Sequence, residues 1–115
     1  MFALRWTAEA KANYEEVSTA AHKAAASRLK DGKGKSSRQE GLLKQIDKTL
    51  RHLAANPKHP GLNTHKYDSI RDPSGKNREV FEAYAQNDTP SAYRVFWHYG
   101  PNRGDITIVG ITPHP

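Results

Sequence analysis

The hydrophobic period of the chain's helical first half gives way at Asn56-Pro57. Before that point Leu43, Ile46, Leu50 and Leu53 recur at steps of three, four and three, the stripe of an amphipathic helix. Ser37-Arg38-Gln39-Glu40 opens the stripe with a capping box, in which Ser37 and Glu40 satisfy each other's backbone donors, and Pro57 closes it. A helix is predicted over residues 37–55. Beyond Pro57 short stretches of high β-propensity alternate with turn-rich ones, Arg71–Asn77, Asn87–Ser91 and Gly100–Gly104. Strands are predicted over 62–67, 79–86, 92–99 and 105–112.

The opening residues fit the same scheme. Phe2-Ala-Leu-Arg-Trp6 alternates apolar and polar, as a half-buried strand over 2–6 would. Thr7 is a good N-cap, and Glu9 follows in the first turn, where the helix dipole favours negative charge. A helix over 8–30 can place Tyr14, Val17, Ala21, Ala24 and Leu29 on one stripe. Glycines in Asp31–Ser36 break it, so the two helices form an antiparallel hairpin. The order β-α-α-β-β-β-β predicts an α+β domain over 1–115, with the hairpin on one face of an antiparallel sheet meander.

Composition narrows the partners. One domain is expected of 115 residues, and without cysteine there is neither a disulfide framework nor a thiolate zinc site. No apolar run approaches the ~20 residues of a membrane span. MFALRWTAEAKANYEEV lacks the apolar centre of a signal peptide, so a reducing cytoplasm is the expected setting. Eighteen Lys+Arg against 12 Asp+Glu give a net charge of +6, which favours an anionic partner, nucleic acid first. Residues 1–57 carry 11 basic and 6 acidic side chains, residues 58–115 carry 7 and 6. The excess centres on Arg28–Arg38, and a solvated basic loop would produce it equally.

The strand AYRVFWHY carries the most chemistry. Tyr93, Val95, Trp97 and Tyr99 point one way, and Ala92, Arg94, Phe96 and His98 the other. The first set is bulky and uncharged, so it belongs under the helices. The second set is then expected on the outer face, facing solvent, with a cation, a ring and an imidazole suited to RNA. An ordinary solvated sheet face could carry the same residues. Ile106, Ile108 and Ile111 bury the last strand, and His114 follows at its end. The six histidines form no i, i+4 pair on a helix and no HExxH pattern, and Gly32-Lys-Gly34 lacks the spacing of a phosphate loop.

At this level the chain resembles the RelE/ParE toxin superfamily. The likeness rests on the element order, the strand AYRVFWHYG with its central arginine, and the isoleucine-rich final strand ending in histidine. EVFEAYAQNDTPSAYRVFWHY is similar to the HigB-like pattern within that superfamily. The resemblance implies a RelE-like fold and the toxin of a type II toxin–antitoxin pair. Its activity would be that of an endoribonuclease on messenger RNA at the ribosome, with a cognate antitoxin and no cofactor or metal. It implies Arg94 at the scissile phosphate, His114 as general acid or base, and His65 and Lys66 completing the site. His65 and His114 would be the proton-transfer pair, with Lys66, Tyr67, Phe96 and His98 contacting RNA and Tyr84 as a further candidate. His59 is expected to be structural, and His22 and His52 to lie at surface or boundary positions. The loop 68–78 is longer than the resemblance implies. The alternative of the same fold is a non-cleaving binding protein, such as a gyrase inhibitor or a non-toxic relative.

Overall fold

The structure is a computed structural model that describes residues 1–32, 34, 37–86 and 91–114. Strand β1 (Ala3–Trp6) leads into helix α1 (Ala8–Lys30), and helix α2 (Arg38–Ala55) runs back. Strands β2 (His65–Lys66), β3 (Phe81–Tyr84), β4 (Tyr93–Tyr99) and β5 (Asp105–Pro113) follow. They form one five-stranded sheet in the order β1-β5-β4-β3-β2. β1 pairs parallel with β5, and every other pair is antiparallel. The parallel pair follows from the hairpin, which carries the chain away from β1 and lets the last strand return beside it.

Both helices start where their caps predict. The Thr7 side chain accepts from Ala10 N at 3.0 Å. At Ser37 both halves of the capping box are made, with Glu40 Oε2 accepting from Ser37 N at 2.6 Å and Ser37 Oγ from Glu40 N at 3.2 Å. Glu40 also takes a two-pronged bond from Arg28, at 3.1 and 2.8 Å, which ties the far ends of the hairpin together. Arg28 first, then the Ser37 backbone, holds the Glu40 carboxyl down at about 2. Nearer the sheet, Tyr14 donates to Asp47 at 2.6 Å, and burial followed by that bond pushes its phenol up to about 12. The expected α1 stripe is correct only as far as Ala21, beyond which no described residue of the helix is buried. Leu29 is exposed, because the helix there has left the sheet behind.

Ile46, Leu50 and Leu53 of α2 pack with Ala10 and Val17 of α1 against Ala83, Val95, Trp97, Ile106, Ile108 and Ile111 of the sheet. The spacing two, then three, of the β5 isoleucines has a structural cause. Phe96 pairs with Gly110 and Trp97 with Ile108, so Val109 is an extra residue, a β-bulge. The bulge inverts the alternation, returning Ile111 to the helix side and turning Val109 to the other. Beside the bulge α1 is tied to β5, where Asn13 Oδ1 accepts from Ile111 N at 3.0 Å.

The strand predicted over 62–67 is shortened to two residues. Pro60–Leu62 forms a 3-10 turn instead, capped by His59, whose Nδ1 accepts from Gly61 N at 2.9 Å. This bears out a structural part for His59. The strand expected over 79–86 holds pairing only across Phe81–Tyr84. The turn expected at 87–91 lies, apart from Ser91, outside the described residues.

Candidate functional site

The parity read from AYRVFWHY is correct for the core: Val95 and Trp97 face the helices, although Tyr99, at the strand end, is half open to solvent. The expectation that the opposite side is solvated is corrected. Arg94, Phe96 and His98 are all buried there. For Phe96 and His98 the long loop 68–78 is the reason, since it folds back over one end of this outer face. Phe96 packs with Val80, Val109, Tyr67 and Ile70 in a second small core, its ring 4.9 Å from that of Tyr67. His98 is held at both ring nitrogens, by Tyr99 O at 2.8 Å and by Asp72 Oδ1 at 3.6 Å.

Asp72 organises that loop. Its carboxylate accepts from Ser74 N at 2.9 Å, Ser74 Oγ at 2.7 Å and Arg78 Nη1 at 3.3 Å. Burial by itself would raise this carboxyl, but the Ser74 bonds and the His98 charge outweigh it and hold it below the usual range. Phe96 and His98 are therefore structural in this conformation, with no surface to offer a base.

The other end of the face is open, and there the histidines named from sequence meet. Glu82, on β3, is 1% exposed and lies between them. Its Oε1 is 2.8 Å from His65 Nε2, and its Oε2 is 2.9 Å from His114 Nδ1. His65 stands directly across the ladder from Glu82, and His114 is set beside β4 by its backbone N–H, which donates to Ala92 O at 2.8 Å. The His65 and His114 side chains are 50% and 37% exposed, so solvent and a ligand reach the imidazoles but not the carboxylate. His65 is engaged at both nitrogens, because Nδ1 donates to Asn63 O at 3.0 Å. His114 Nε2 is turned away from Glu82.

Arg94 lies beneath this cluster. Its Nε is 3.9 Å from Glu82 Oε1, and its guanidinium carbon sits 3.8 Å over the Tyr84 ring. Tyr84 also meets the edge of His65 at 5.4 Å, and Tyr67 meets His114 at 6.2 Å. Lys66 is not brought in. It follows His65 in an extended strand, so it points to the opposite side, where Nζ pairs with Glu79 at 2.8 Å. The structure thus gathers His65, His114, Arg94 and Tyr84, with Tyr67 at the rim. The residue that sequence reasoning missed is Glu82. Its signal was a carboxylate between Phe81 and Ala83, two residues of the buried face, which obliges the sheet to supply cationic or imidazole partners on the other.

A helical hairpin on a five-stranded mixed sheet is an architecture this chain shares with solved YoeB/ParE-type toxins. A YoeB/ParE toxin from Agrobacterium tumefaciens matches 98% of this chain and 99% of its own, with a TM-score of 0.63 and 10% sequence identity. A YoeB of Staphylococcus aureus, solved as a dimer, matches 99% of this chain and 98% of its own, with a TM-score of 0.57 and 12% identity. No protein-family model matches the sequence. No curated protein sequence matches it either. The likeness is one of fold, and it bears out the architecture that the RelE/ParE resemblance implied.

Proposed function

We propose that this chain is the toxin of a toxin–antitoxin pair and works in the cytoplasm as a metal-independent endoribonuclease on messenger RNA. The observation that carries the reading is the buried Glu82 carboxylate clasped by two half-exposed histidines on the side of the sheet away from the helices. Two imidazoles joined through one carboxylate can take a proton at one point and give one at another near neutral pH. No helix among the described residues is long and apolar enough to cross a membrane.

The chemistry assigned to the site balances in one step. His65 turns its Nδ1 from Asn63 O to the 2′-hydroxyl and, with Nε2–H donating to Glu82, takes that proton, and the oxygen attacks the adjacent phosphorus. The bond to the 5′-oxygen breaks, and protonated His114 gives its Nε2 proton to that leaving oxygen. The products are a 2′,3′-cyclic phosphate and a 5′-hydroxyl. Glu82 stabilises the His114 imidazolium before transfer, and Arg94 offsets the negative charge that develops on the phosphate. Since Arg94 is buried, it acts through the field and through Glu82 and Tyr84 rather than as an exposed phosphate clamp. The ribosome and the antitoxin are the expected partners.

Induced expression with mapping of messenger-RNA 5′ ends tests the reading. New 5′-hydroxyl ends that disappear in His114→Ala are expected, together with resistance of a model RNA carrying a 2′-deoxy sugar at the cut. Growth arrest with intact messenger RNA and altered DNA supercoiling would instead select the gyrase-inhibiting alternative.

A further inference from the structure

At the β2 edge of the sheet a cavity of about 360 Å³ opens between the second half of α2, the 3-10 turn and the end of β3. Tyr84 is a wall of this cavity and of the Glu82 cluster at once, since Arg94 and His65 contact the same ring. A ligand seated there is therefore one side chain away from the proposed cleavage site.

Among the described residues the lining is polar yet almost uncharged, and it holds no carboxylate. Gln86 is fixed, with Oε1 accepting from Tyr93 N at 2.8 Å and Nε2 donating to Gln45 Oε1 at 3.3 Å. That bond orients the Gln45 amide and leaves its own N–H groups to donate. His52 and His59 lie against each other, with ring centroids 4.1 Å apart and planes tilted by 32°. His59 Nδ1 accepts from Gly61 N, so in the neutral ring the proton is on Nε2. Desolvation first, then His59, Lys48 and Arg51, lowers the His52 pKa, which favours a neutral ring with one donor and one acceptor. Lys48 is the one lysine or arginine of the lining among the described residues.

A cavity built for bare phosphate would be lined with cations. Amides and imidazoles with a single lysine suit instead a planar base with donors and acceptors on its edge and one phosphate attached. We propose that this cavity receives the base of the nucleotide next to the scissile phosphodiester and sets which sequences are cut. Gln45 reads the base edge, the paired His52 and His59 rings support it, and Lys48 holds its phosphate. This rests on the ribonuclease reading, so the test has one arm that needs no cleavage.

In the first arm the full chain is titrated with each of the four nucleoside 5′-monophosphates, and separately with inorganic phosphate, while the His52 and His59 ring resonances are followed by NMR. Saturable shifts with at least one nucleotide, absent with phosphate and reordered among the bases in Gln45→Ala, are expected. No saturable shift, or the same shift from phosphate alone, overturns the proposal. In the second arm a randomised RNA pool is cut and its ends sequenced. Loss of one neutral hydrogen bond in Gln45→Ala should flatten the preference beside the cut by up to about tenfold. An unchanged preference overturns the assignment. If the wild-type chain cuts nothing, the ribonuclease reading falls, and the nucleotide titration alone decides the cavity.

Discussion

The outer face of the sheet carries two histidine–carboxylate groups, built alike and buried differently. At the covered end Asp72 and His98 are both shut away, with loop 68–78 closed over them. At the open end Glu82 is as deeply buried as Asp72, but His65 and His114 stand half in solvent. A buried carboxylate needs partners in either place. Where the partner is buried too, the group fastens a loop. Where the partner is exposed, the same chemistry leaves a proton within reach of a ligand.

The sharpest way to break this contrast is Arg94→Ala. The arginine backs the open cluster yet is itself buried, so its removal should act as at the covered end. Loss of one member of a buried charged group costs on the order of 3–5 kcal/mol. Urea unfolding should show a loss of that order. A loss below about 1 kcal/mol, as for an exposed ion pair, would mean that the guanidinium is free to turn outward.

His114→Ala should separate the two kinds of group most cleanly. Single-turnover cleavage should fall at least about a hundred-fold, the usual worth of a general acid or base. Stability should change by no more than about 1 kcal/mol, since the imidazole is partly solvated. A His114→Ala protein that cleaves normally would remove this end of the sheet from the chemistry.

Asp72→Asn should show the reverse. The side chain keeps its shape, but an amide N–H group now faces Arg78, Ser74 or His98, leaving buried donors unpaired at roughly 1–3 kcal/mol. Loop 68–78 should gain hydrogen exchange, while the His65 and His114 resonances hold their positions. If those resonances move as far as the loop's, the two ends of the face are one unit.

How much of this could be read from sequence differs by element. The capped α2 and the β4 parity were legible because each depends on residues a few positions apart. The pairing of His65 with His114 came from resemblance, and the structure supplies its physical link in Glu82. The bulge was present in the spacing of Ile106, Ile108 and Ile111, although that spacing was read only as burial. The covered end was not legible. It depends on Asp72 reaching His98, 26 positions on, through a loop whose composition reads as solvent-exposed. Nothing in the alternation of AYRVFWHY distinguishes a face that meets water from one that meets a loop.

Acidification probes the covered end with no substitution at all. Asp72 is held below the usual carboxylate range, so the folded state binds its proton less readily than the unfolded chain does. The stability that it contributes is complete above its unfolded pKa, about 3.9, and is lost as pH falls through the lower folded value. Arg78 and His98 both face it, so protonating Asp72 weakens the carboxylate contacts that hold the loop to this end of the sheet. Protection of 68–78 from hydrogen exchange should therefore fall as pH drops below about 3.9, by less than in Asp72→Asn at neutral pH, and the variant itself should lose this step. Glu40, held at about 2 by Arg28, gives way in the same range, but at the far end of the hairpin. Residue-resolved exchange tells the two apart, and a loop that loosens equally in the variant would show that Asp72 does not fasten it.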